Sequence, residues 1–108
     1  MKPLRFASGV KEEIRAAARW YESRRVDLGV EFLLSVDEAI DRLAESPEAQ
    51  SPIVDLPENL PARQASVRRF PYRVAFPEQD AEILVLACAH TRQRPGYWLK
   101  RVEARQEE

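Results

Sequence analysis

Residues 82–89 read Glu-Ile-Leu-Val-Leu-Ala-Cys-Ala, and every position after the first is apolar. This run constrains the fold more than any other part of the chain. Residues 83–89 are far too few to cross a membrane as a helix, which needs roughly 20 residues. The run also lacks the alternation of a strand that gives one side to water. It reads as a central strand covered on both faces. Elements elsewhere in the chain must supply that cover.

The first half offers two helices. Val10, Ile14, Ala17, Ala18 and Tyr21 recur at helical spacing, with Lys11, Glu12, Arg15, Arg19 and Glu22 between them. That pattern predicts an amphipathic helix over about 9–25, with Ser8 as its N-cap. Val26-Asp27-Leu28-Gly29 breaks it. A second stripe follows at Phe32, Leu33, Val36, Ile40 and Leu43, with acids and Arg42 on the other positions. Ser46-Pro47 ends this second helix. So short a break makes the pair an antiparallel hairpin.

The second half reads as strands. Residues 46–62 hold Pro47, Pro52, Pro57 and Pro61 and form a surface connection poor in regular structure. Residues 65–70 and 72–76 look extended, interrupted by Pro71, which cannot donate to a ladder. Residues 77–80 form a turn, and the apolar run follows. Residues 90–96 make a polar loop, and 97–105 form a short last helix or a frayed tail. With residues 4–7 as an edge strand, the order is β-α-α-β-β-β. The expected class is α+β, a small antiparallel sheet packed against an N-terminal helical hairpin. At 108 residues the chain fits one domain over 1–108 with one core.

The net charge of −1 hides an asymmetry. Residues 1–62 carry 8 Lys/Arg against 12 Asp/Glu, whereas 63–105 carry 9 against 4. A basic second half can meet nucleic acid or an acidic protein. The only cysteine, Cys88, lies inside the apolar run and reads as a small core residue. The N-terminus has no long apolar stretch of the signal-peptide kind, and a cytoplasmic location is the default expectation. The glycines are only Gly9, Gly29 and Gly96, which make no phosphate-cradling loop. One His and one Cys do not make a typical zinc site. No cofactor, no metal and no membrane partner are expected.

Three segments carry a family likeness. They are Ala18-Arg19-Trp20-Tyr21-Glu22 with Leu28-Gly29-Val30-Glu31-Phe32; Val67-Arg68-Arg69-Phe70-Pro71-Tyr72-Arg73-Val74; and Ala89-His90-Thr91-Arg92-Gln93-Arg94-Pro95-Gly96-Tyr97-Trp98. Together with the element order they resemble the ParE-like, plasmid-stabilisation branch of the RelE/ParE toxins, over nearly the whole chain. The resemblance implies a growth-inhibiting bacterial toxin neutralised by a cognate antitoxin, whose disordered segment folds over it. It also implies toxin–antitoxin assemblies larger than one-to-one. A segment that folds on binding can cover a large surface. ParE-like members inhibit DNA gyrase without known nuclease activity. RelE-like members cut mRNA on the ribosome.

Both targets stay open at the level of residues, as does a degenerate toxin that only binds antitoxin. Cutting RNA through its own 2′-hydroxyl needs a base, a cation for the phosphorane charge and a proton donor. His90, Arg94 and Tyr97 are the candidates for catalysis. Arg68, Arg69, Arg73, Arg92 and Arg94 are the candidates for binding target or nucleic acid. The middle strands offer arginine but no lysine, and an always-charged arginine is a poor base. As strand neighbours, Arg68 and Arg69 would point to opposite faces, with at least one paired to a helix acid or solvated. Of Tyr97 and Trp98, the tryptophan is expected to cover the core. Trp20 and Tyr21 read as packing, and Pro71 and Pro95 as fixed bends.

Overall fold

The structure is a computed structural model that describes residues 3–54, 56, 61–77, 82–93, 97 and 98. The elements run β1 (Leu4–Phe6), α1 (Val10–Arg24), α2 (Leu28–Glu45), a 3-10 turn (Pro47–Ala49), β2 (Ser51–Pro52), β3 (Ala62–Val67), β4 (Tyr72–Pro77), β5 (Ile83–Val85) and β6 (Ala87–His90). Strands β2-β3-β4-β6 form an antiparallel sheet, and β1 lies parallel to β5. The class is α+β, with the helical hairpin preceding the main sheet strands as the sequence pattern predicts. The expected turn over 77–80 and the tail beyond Trp98 lie outside the described residues.

The helices end and begin differently from the sequence reading. Ser8 does not cap α1: the N-cap is Gly9 at φ 89°, and no side chain bonds there. Only glycine enters that left-handed region without steric cost. At the start of α2 the cap residue Asp27 is also left-handed, at φ 71°, and its side chain caps nothing. Glu22 of α1 does the work instead. Its carboxylate accepts the backbone N–H of Asp27 (2.9 Å) and of Gly29 (3.0 Å). One acid thus satisfies donors that a helix start leaves unpaired. The helices touch closely at Gly29, where an added Cβ would lie 2.6 Å from the backbone oxygen of Ala18. The glycine that reads as a breaker is a contact point inside α2.

Residues 46–54 carry more order than the prolines of this stretch suggest. Pro47 opens the 3-10 turn, where its fixed φ suits the first position and its missing N–H costs nothing. Ser51 and Pro52 pair with Gln64 and Arg63. Strand β3 begins three residues before the sequence suggests and ends at Val67. Residues 68–71 are the turn of a hairpin that joins Val67 to its partner Tyr72. Arg69 turns the chain at φ 74°.

The apolar run is covered on both faces, and it is broken once. Ile83, Val85 and Cys88 join the cluster under the helices. Leu84, Leu86, Ala87 and Ala89 join a second cluster with Trp98 on the other face. Leu86 and Ala87 are consecutive yet share a face. The N–H of Leu86 reaches the carbonyl of Ala75 (2.8 Å), and Ala87 is the register partner of that same Ala75. Two residues opposite one make a bulge, which bends the strand and changes its partner. Before the bulge the strand pairs with β1, and after it with β4.

Candidate functional site

The helix-covered face of the sheet is an aromatic layer. The Tyr21 ring lies 5.1 Å from Phe32, 4.9 Å from Phe70 and 6.2 Å from Tyr72. Phe32 meets Phe70 and Tyr72 edge-on at 5.2 and 5.1 Å. Tyr72 meets the His90 ring at 5.3 Å. The edge-to-face geometry sets positive ring edges against negative faces. Each of the three likeness segments supplies part of this chain of rings. Trp20 is different from its neighbour: it stands 53% exposed, with Arg24 over its ring at 4.6 Å.

His90 is built into that layer. Its Nδ1 accepts the N–H of Arg92 (3.1 Å), which places the ring proton on Nε2 in the neutral form. Its own N–H donates to the Gln93 side chain (3.0 Å), and its carbonyl accepts the Gln93 N–H (2.9 Å). Burial raises the pKa of Tyr72, with Tyr21 and Cys88 adding to the effect. Burial alone raises that of Tyr21. Burial pushes the Cys88 thiol up to about 12, helped by the nearby Glu13 carboxylate. Cys88 and the two tyrosines therefore stay neutral around pH 7.

The arginines divide into two groups. Arg68 and Arg69 sit in the β3–β4 turn and not in a strand, so they do not face opposite ways. Both reach acids of α2: Arg68 to Glu38 at 3.5 Å and Arg69 to Glu31 at 3.8 Å. Glu38 also holds Arg42 (2.7 Å), and Glu31 holds Arg25 (2.6 Å). Arg42 donates further to the Ser66 carbonyl. These exposed pairs tie the turn to the hairpin and contribute little individually. Arg73 and Arg92 have no side-chain partner among the described residues. Arg94 lies outside the described residues.

Tyr97 and Trp98 split. Trp98 is 3% exposed in the second cluster, while Tyr97 is 39% exposed and donates its hydroxyl to Glu13 of α1 (3.3 Å). The last described residues are thus held to both layers.

Arg73 occupies the open face of the sheet. Opposed residues share a face, so Ser66, Arg73 and Ala89 form one row, and Gln64, Ala75 and Ala87 the next. His90 pairs with Tyr72 and so presents its ring to the opposite side. This second face carries a hollow of about 230 Å³ bordered by Arg73, Ala75, Ala89, His90, Gln93 and Trp98, so Arg73 and His90 border one hollow although the His90 ring packs on Tyr72. A more polar hollow of about 340 Å³ adjoins it, with Arg42, Gln50, Gln64 and Ser66 around it. Arg73 and Gln64 border both. The alanine rows were the available sequence signal for this hollow, because side chains two residues apart line one face. Among the described residues no group of three or more His, Cys, Asp or Glu could hold a metal ion. No helix among them is long and apolar enough to cross a membrane.

Comparison with known proteins gives the class. The family model described as ParE toxin of type II toxin-antitoxin system, parDE, matches residues 4–95. The chain belongs to the ParE toxin family, within the RelE/ParE superfamily. Among solved structures it is similar to a chain of the "Chromosomal ParDE TA system from P. aeruginosa". That match has a TM-score of 0.69 at 15% identity and covers 83% of this chain and 96% of that one. At this identity the likeness is one of fold. No curated protein sequence matches the chain.

Proposed function

We propose that this ParE-family toxin is neutralised by a cognate antitoxin and inhibits DNA gyrase by binding, without cutting nucleic acid. The observation that carries the second part is how the candidate catalytic groups are used. His90 is packed on Tyr72 with Nδ1 occupied, and the Tyr97 hydroxyl is on Glu13. Arg68 and Arg69 pair with α2, and Arg73 lies on the other face of the sheet from the His90 ring. A phosphodiester cleavage needs base, acid and cation converging within hydrogen-bond reach of one phosphate. His90, Tyr97, Arg68 and Arg69 instead serve packing and helix–sheet ties. The family likeness supplies gyrase as the target, and the basic second half supports an acidic antitoxin segment.

The test uses the purified full-length chain in two assays side by side. Supercoiling by gyrase should stop at toxin concentrations comparable to the enzyme, while mRNA in a ribosome extract stays intact. Cleavage of the mRNA with unaffected supercoiling would reverse the assignment. The His90, Arg94 and Tyr97 variants would then be the next to make. Adding the protein encoded by the adjacent reading frame should restore supercoiling.

A further inference from the structure

We propose that the hollow on the open face of the sheet anchors the antitoxin. It seats one apolar side chain of an acidic segment and pairs a neighbouring carboxylate with Arg73. This rests on the antitoxin reading above and adds the place and chemistry of the contact. The hollow is about 230 Å³, below the roughly 300–1,000 Å³ of small-molecule sites. That size suits a side chain. Buried Ala75, Ala89 and Trp98 line it on the inside, and Ile53 and the exposed Val54 supply apolar surface at its border.

Arg73 stands at the border as an exposed cation with no partner among the described residues. An arginine fork matches a carboxylate in two hydrogen bonds. The adjoining polar hollow offers the side chains of Gln64 and Ser66 to the backbone of an extended segment. Nucleic acid fits less well. Trp98 is 3% exposed and has no open ring face for a base.

The experiment measures binding of the full-length chain to the full-length protein of the adjacent reading frame, at low and high salt. Three toxin forms are compared: wild type, Arg73→Glu and Ala89→Leu. Thermal melts confirm that each variant folds, and the exposed Arg73→Glu serves if Ala89→Leu does not. Arg73→Glu should weaken binding at least about tenfold at low salt, and less in about 1 M salt, where screening is strong. Ala89→Leu fills the hollow and should weaken binding at both salt levels. Wild-type affinity in both folded variants would overturn the proposal while leaving the antitoxin reading intact. Normal antitoxin binding with lost gyrase inhibition would overturn it too, by assigning the hollow to the target. No binding by wild type would bring down the antitoxin reading and this proposal with it.

Discussion

The two faces of one sheet are built by opposite rules. Beneath the helices, alternate positions of β3, β4 and β6 carry Val67, Tyr72, Val74, Cys88 and His90, and the helices add Tyr21 and Phe32. Rings and branched side chains fill that layer. One residue over on the same strands stand Ser66, Arg73, Ala75, Ala87 and Ala89. Their small volume leaves hollows, and Arg73 stands there with no partner among the described residues. A sheet whose face is filled by its own chain is a core. On the second face the alanines are buried too, and Ser66 and Arg73 stay exposed to another chain. Rings from all three likeness segments lie on the first face, whereas Arg73, Ala89 and Trp98 of the same segments lie on the second.

The comparison breaks most visibly at Phe32. Truncation to alanine should cost about 3–5 kcal/mol by urea unfolding, as for other buried aromatics. A cost under about 1 kcal/mol would mean the aromatic layer is not the stabilising face. Alkaline pH should attack the same face. The Cys88 pKa rises from an ordinary 9.0 to about 12 in the fold. The unfolded chain therefore loses this proton first, and stability falls as pH climbs from about 9 towards 12. The slope from this one group is up to about 1.4 kcal/mol per pH unit. Tyr21 and Tyr72, also raised, add to the loss above pH 10. Cys88→Ala should flatten the slope between pH 9 and 10.

Smaller effects belong to the hairpin. Gly29→Ala forces a Cβ against the Ala18 carbonyl and should cost about 1–3 kcal/mol. Glu22→Ala removes the acceptor for two N–H groups at the start of α2 and should cost about 1 kcal/mol. Equal melting temperatures for wild type and both variants would show that the hairpin does not depend on this contact. The smallest effect on stability sharpens the comparison from the other side. Arg73→Glu should change unfolding by no more than about 0.5 kcal/mol, although it should have the largest effect on binding of the five. A large loss of stability would place Arg73 in the fold's own support.

Much of the fold was legible because periodicity reports burial directly. The stripes of α1 and α2 put Val10, Phe32, Val36 and Leu43 inside, and all four are fully or nearly fully buried. Trp98 covers the core as its pairing with the more exposed Tyr97 suggests. The misplacements have local causes. Arg68 to Phe70 look extended by composition, yet Arg69 adopts a left-handed turn that no side chain announces. Trp20 reads as packing beside Tyr21, but the neighbouring helical position faces solvent. The caps were missed because Glu22 acts from the preceding helix, five and seven residues away from its donors.

For the site, sequence adjacency proved a poor guide to spatial company. His90 and Tyr97 sit close along the chain, but the His90 ring packs on Tyr72 while the Tyr97 hydroxyl goes to Glu13. Residue spacing and hydrophobicity were enough to set the class of elements, their order and most of the residues that leave water, since each follows from near neighbours along the chain. Tertiary packing makes Leu86 and Ala87 a bulge, sends Arg68 and Arg69 to α2, and leaves Arg73 on the second face with no partner among the described residues. Those outcomes depend on strand register and on residues far apart in the chain, and a register shift of one residue reverses every face.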